Sequence, residues 1–118
     1  MNWMGFHLED LVINGLDRAP VDFISAKIAD MGFNCVRLVY ALDTLYENPV
    51  VKSERVSENP ELIGKTVMDV MDAVIVSLTQ ASIMVILNNH VSTVLLLQAN
   101  IMIILNNVVS FGFNSKCV

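Results

Sequence analysis

The chain has 118 residues, one domain's worth at roughly 100–200 residues per domain. Its 7 Lys and Arg face 12 Asp and Glu, a formal charge of -5, which is the wrong sign for the basic footprint that displaces counterions from nucleic acid. Apolar residues make up 54% and charged ones 16%, so a disordered chain is excluded as a description of the whole.

The charge is unevenly placed. Every Lys, Arg, Asp and Glu lies between Glu9 and Asp72 except Lys116. The first part reads as ordinary globular sequence, and the second as core or membrane segment without a solvated face. Cys35 and Cys117 are far apart and in no Cys-x-x-Cys spacing, so they define neither a disulfide framework nor a zinc site, and Cys35 reads as an inert small hydrophobe. No basic stretch leads into an apolar run and a small-residue cleavage site, so no signal peptide is expected. The compartment stays open.

In chain order, Asn2 to His7 is short, apolar and aromatic and predicts a strand. A polar loop follows to Ala19. Pro20 suits the first position of a helix, where its missing N–H would be unpaired anyway. Phe23, Ile24, Ile28 and Met31 then recur at helical spacing, and Gly32 can take the left-handed conformation that closes the helix. Phe33 to Tyr40 predicts a buried strand with one charge, Arg37. Ala41 to Ile63 is a long polar connection, a length that implies function or short helical turns. Thr66 with Asp69 predicts the start of a second helix, whose apolar stripe is Val67, Val70, Met71, Val74 and Leu78. Ile83 to Leu87 is five consecutive apolar residues, as in a strand buried on both faces. Strand, helix, strand, helix, strand implies an α/β chain with parallel pairing and right-handed crossovers.

The tail repeats what precedes it: Gln80 to Ser92 and Gln98 to Ser110 share ten of thirteen residues at an offset of 18. A βα unit needs roughly 30 residues, so the repeat is read as a local duplication of one strand with its flanks. Val91 to Ala99 suits either a short apolar helix or another strand. Val91 to Leu105 is uncharged, but at 15 residues it falls short of the ~20 that span a membrane. A membrane segment is therefore not the expected reading.

Three segments together resemble glycoside hydrolase family 5, closest to its fungal cellulase-like members: Asn2-Trp3-Met4-Gly5-Phe6, Met31-Gly32-Phe33-Asn34-Cys35-Val36-Arg37-Leu38, and Met84-Val85-Ile86-Leu87-Asn88-Asn89-His90. Asn59-Pro60-Glu61-Leu62 with Gly64-Lys65-Thr66 adds to the likeness. The resemblance implies that residues 1–92 are the N-terminal part, about three strands and two helices, of an incomplete TIM (β/α)8 barrel. Residues 93–118 would be an apolar tail containing the duplicated strand (80–92 against 98–110). It also implies retaining hydrolysis of β-linked glycosides by two glutamates, with a carbohydrate substrate and no metal or organic cofactor. Those glutamates follow the family's fourth and seventh strands. No carboxylate side chain follows Asp72 here, so neither catalytic residue is expected and the chain reads as a truncated relative, inactive alone. Relatives are commonly secreted.

Two positions carry over from the family. Arg37 matches the arginine on the second strand that orients the nucleophile's carboxylate, and His90 matches the histidine at the end of the third strand that lines the cleavage subsite. Both are expected at strand carboxyl ends, the face on which barrel active sites are built. Asn88 departs from the Asp that relatives often carry, and Val108 stands in the second copy where the first has His90. Arg37 also stands out without the resemblance, because a charge in an apolar strand needs a partner. Glu9 or Asp10 could supply one. A lone histidine such as His90 is more often structural than a ligand. His7 has only its position after the first strand in its favour, Glu9 with Asp10 reads as a solvated loop, and Trp3 reads as core. The competing readings are a non-enzymatic, membrane-associated or self-associating module, and a fragment of a longer coding sequence.

Overall fold

The computed structural model describes residues 1–91 and 102–103. The first strand, β1, spans Asn2–Trp3 and pairs in parallel with β2, Cys35–Ala41, with Asn2 opposite Arg37 and Trp3 opposite Leu38. It is shorter than the Asn2 to His7 expected. The backbone beyond Trp3 finds its partners in the following loop: Met4 O accepts from Asn14 N (2.9 Å) and Gly5 O from Leu8 N (2.9 Å). Gly5 makes this possible. At φ +154° a Cβ there would lie 2.1 Å from the Val12 carbonyl oxygen.

Helix α1 covers Val21–Asp30, with Pro20 as the N-cap and not the first helical residue. Proline has no side-chain oxygen to cap with, and a distant residue does it instead. Asn59 Oδ1 accepts from Val21 N (2.8 Å). Gly32 closes the helix at φ +88°, as expected of a glycine there.

The connection after β2 is not featureless. Helix α2, Leu42–Glu47, ends on left-handed Asn48, and two 3₁₀ turns follow at Ser53–Val56 and Pro60–Leu62. Helix α3, Val67–Gln80, begins with the anticipated box: Thr66 Oγ1 accepts from Asp69 N (3.4 Å), and Asp69 Oδ2 accepts from Thr66 N (3.2 Å). Strand β3 runs Met84–Val91, beyond the Ile83 to Leu87 that hydrophobicity alone marks. Its polar end, Asn88 to His90, is held by pairing with β2.

The three strands are parallel and lie in the order β1-β2-β3. A short β4, Met102–Ile103, pairs antiparallel on the far side of β3, with Ile103 opposite Leu87 and Met102 opposite Asn88. These two residues belong to the second copy of the repeat. The rest of the tail, including Val91 to Ala99 beyond its first residue, lies outside the described residues.

One face of the sheet builds the core. Val36, Leu38 and Tyr40 of β2 and Val85 and Leu87 of β3 pack with Val21 and Ile28 of α1 and Val67, Val70, Val74 and Leu78 of α3. Trp3 joins them at 6% exposure, its Nε1 donating to Asn14 O (2.8 Å), so it is core as read from sequence. Side chains alternate along a strand, so Arg37 and Val39 of β2 share the other face with Ile86, Asn88 and His90 of β3. Cys35 is fully buried and carries no free thiol. That corrects its reading as an unreacted hydrophobe, because spacing along a sequence is silent about long-range pairing. Among the described residues no helix is long and apolar enough to cross a membrane.

Candidate functional site

The carboxyl ends of the parallel strands gather four side chains. Arg37 is the third residue of β2 and stands opposite Ile86, so its backbone is not at the strand's end as expected. Its head group is displaced from its backbone. Nη2 donates to the Oδ1 of Asn88, which lies opposite Val39, two residues further along. The guanidinium therefore leans toward the carboxyl edge. Arg37 is half-buried. Its partner is a neutral amide, neither Glu9 nor Asp10. The Asp10 carboxylate instead takes Arg55 and Lys52. Arg55's hydrogen bond is the main cause holding the Asp10 carboxyl below its ordinary value.

His90 is exposed on β3, two residues beyond Asn88 and on the same face. Its ring meets that of His7 edge-on, with centroids 5.3 Å apart and planes at 78°. His7 is half-buried, and its Nδ1 is a buried atom with no hydrogen-bond partner among the described residues. The Oδ1 of Asn89 is in the same condition. The structure therefore brings His7 beside His90 and Asn88 beside Arg37. Sequence reasoning gave His7 little weight and saw Asn88 only as a departure from a pattern. Only the position of His7 just past β1 pointed to it, because neighbouring parallel strands end on a common edge.

Among the described residues Arg37 makes no ion pair, and no group of three or more His, Cys, Asp or Glu could hold a metal. The chemistry available is that of a cation, amides and imidazoles. These groups can hydrogen-bond a polar ligand and hold a carboxylate. A pair of carboxylates for acid/base work is not among them.

Comparison with known proteins gives the frame for this edge. The family model "Cellulase (glycosyl hydrolase family 5)" matches residues 2–108. A glycosyl hydrolase 5 family protein of Chamaecyparis obtusa is 38% identical over 108 residues, covering 78% of this chain and 19% of the relative. An endoglucanase of Paenibacillus polymyxa is 27% identical over 90 residues, covering 76% and 23%. The chain thus spans about a fifth of the length of these curated relatives. Among solved structures, the catalytic domain of the major endoglucanase of Xanthomonas campestris pv. campestris superposes with a TM-score of 0.70 at 28% identity, over 77% of this chain and 26% of that one. An endocellulase of Pyrococcus horikoshii in complex with cellotetraose superposes equally well, at 0.70 and 26% identity over 77% and 24%. The three parallel strands with their helices match the N-terminal part of TIM-barrel catalytic domains. The chain belongs to glycosyl hydrolase family 5.

Proposed function

We propose that residues 2–91 form the first three strands, with the helices between them, of a barrel that hydrolyses β-linked glucans with retention. In this reading Arg37 and His90 are supporting groups, and the two glutamates that break the bond are not in this chain. The observation that carries the reading is the convergence of Arg37, through Asn88, and of His90, through His7, on the carboxyl edge of the parallel sheet. In (β/α) barrels that edge is the active-site face.

The chemistry assigns each group a role. Retention requires two carboxyl groups about 5–5.5 Å apart, one as nucleophile and one as acid/base. The nucleophile must stay ionised, and a guanidinium beside it favours the ionised form and fixes its orientation. Arg37 suits that task because no carboxylate among the described residues pairs with it. His90, exposed at the edge, can hydrogen-bond a sugar hydroxyl at the cleavage position. The edge-on ring of His7 limits how the His90 ring can turn.

Transplantation tests this proposal. Residues 2–91 replace the segment from the first to the third strand of a family 5 endoglucanase, and hydrolysis of soluble cellulose is measured. The expected result is an active chimera in which Arg37→Ala lowers kcat by about a hundredfold, the scale seen when a preorganised donor is removed. His90→Ala lowers it less. A folded chimera indifferent to both substitutions contradicts the assignment.

A further inference from the structure

The Arg37 guanidinium is half-buried in an otherwise apolar strand, where a cation ordinarily needs an opposite charge. Its partner is the side-chain oxygen of Asn88. The ion pairs among the described residues all lie elsewhere, joining Arg18 to Asp17 and Lys52 and Arg55 to Asp10. Neither β1 nor β3 can supply an acid: Asn2–Trp3 and Met84–Val91 contain none, and no Asp or Glu follows Asp72.

We propose that Asn88 is a positioning residue that holds the Arg37 guanidinium by a neutral oxygen, leaving its positive charge undiminished as a seat for a single carboxylate. An aspartate, which the family resemblance leads one to expect at this position, would offer the same hydrogen bond but would cancel the charge. With asparagine, the guanidinium is oriented by one N–H while its remaining donors keep the fork geometry that matches a carboxylate. The neighbouring His7 and His90 add no negative charge.

This inference rests on the reading of Arg37 as a carboxylate-orienting group. Its test reads anion binding and not hydrolysis, so it can fail while the chimera above succeeds. The Arg37 side-chain N–H resonances of the full chain are followed by NMR while acetate is added at constant ionic strength, with chloride as the control arm. The expected result is a saturable shift with acetate and none with chloride. Asn88→Asp weakens acetate binding by about tenfold or more, because a like charge then adjoins the ligand. Asn88→Ala, which removes the orienting oxygen and leaves the charge, weakens it less. A merely structural role for Asn88 gives the reverse order, since Asp is its isostere and Ala is not, and that order overturns the proposal. So does an equal response to chloride. If Asn88→Asp does not fold, saturable acetate binding by the wild type with weaker binding by Asn88→Ala supports the proposal. A wild type without a saturable shift, or an unchanged Asn88→Ala, overturns it.

Discussion

Single side chains decide how this sheet edge is assembled, and Asn59 does so from a distance. It is 1% exposed and makes three bonds: Oδ1 accepts from Val21 N, and Nδ2 donates to Leu16 O (2.8 Å) and Ala19 O (3.1 Å). Asn59→Ala would strand buried backbone groups, and we expect a loss of about 2–3 kcal/mol in denaturant unfolding. Asn59→Asp keeps the acceptor and loses the two donations, so it should also destabilise. Gly5→Ala should be at least as harmful, because the new methyl meets backbone at 2.1 Å and not a flexible side chain. The check is whether the Trp3 fluorescence of the folded state is lost at a lower denaturant concentration. At this scale the sequence was partly legible. Arg37 drew notice because a cation in an apolar run demands an explanation. The bonds of Asn59 cross about 40 positions, and the meeting of His7 with His90 crosses more than 80. No local pattern encodes either.

Among the elements, α3 carries its own start signal. Thr66 and Asp69 cap it reciprocally, and the hydrogen bond from the Thr66 backbone N–H is the main cause holding the Asp69 carboxyl below its ordinary value. Thr66→Ala should cost about 1 kcal/mol, as for other N-cap side chains. The sign of the pH effect follows from the lowered value. The stabilisation is complete above the ordinary carboxylate range, about pH 4, and is lost as pH falls through the depressed folded value. Asp10, lowered chiefly by Arg55, acts in the same direction. Arg55→Gln should therefore flatten the fall in stability below about pH 4 and leave its slope near neutrality unchanged, as read by thermal melts across pH. The elements were the most legible scale. Periodicity placed α1, β2 and α3 because each buries one regular face. It overran β1, whose end is set by loop bonds to Met4 and Gly5, and it stopped β3 too soon, because its polar end is held by pairing to β2 and not by hydrophobicity.

Over the whole molecule, the two faces of the sheet differ. One is packed by α1 and α3, and among the described residues no helix covers the other, which carries Arg37, Ile86, Asn88 and His90. Among the described residues β1 pairs with β2 at only two positions, and the rest of that edge invites association. Light scattering of the isolated chain should show mass rising with concentration, and a monomer with a sharp cooperative melt would contradict this. In the proposed reading the chain alone should release no reducing sugar from a β-glucan, since no Asp or Glu side chain follows Asp72. The family was legible from motif order, because the segments around Trp3, Arg37 and His90 follow one another on three successive parallel strands. The sense of β4 was not, because the duplicated residues do not say which way they will pair. Everything functional depends on Arg37 facing away from the helices, a question of strand parity that a one-residue slip would reverse. Nuclear Overhauser contacts of the Arg37 side chain test it most directly. The account predicts contacts with the Asn88 side chain, together with His7 to His90 ring contacts. Contacts from Arg37 to Val70 or Leu78 of α3 would contradict it.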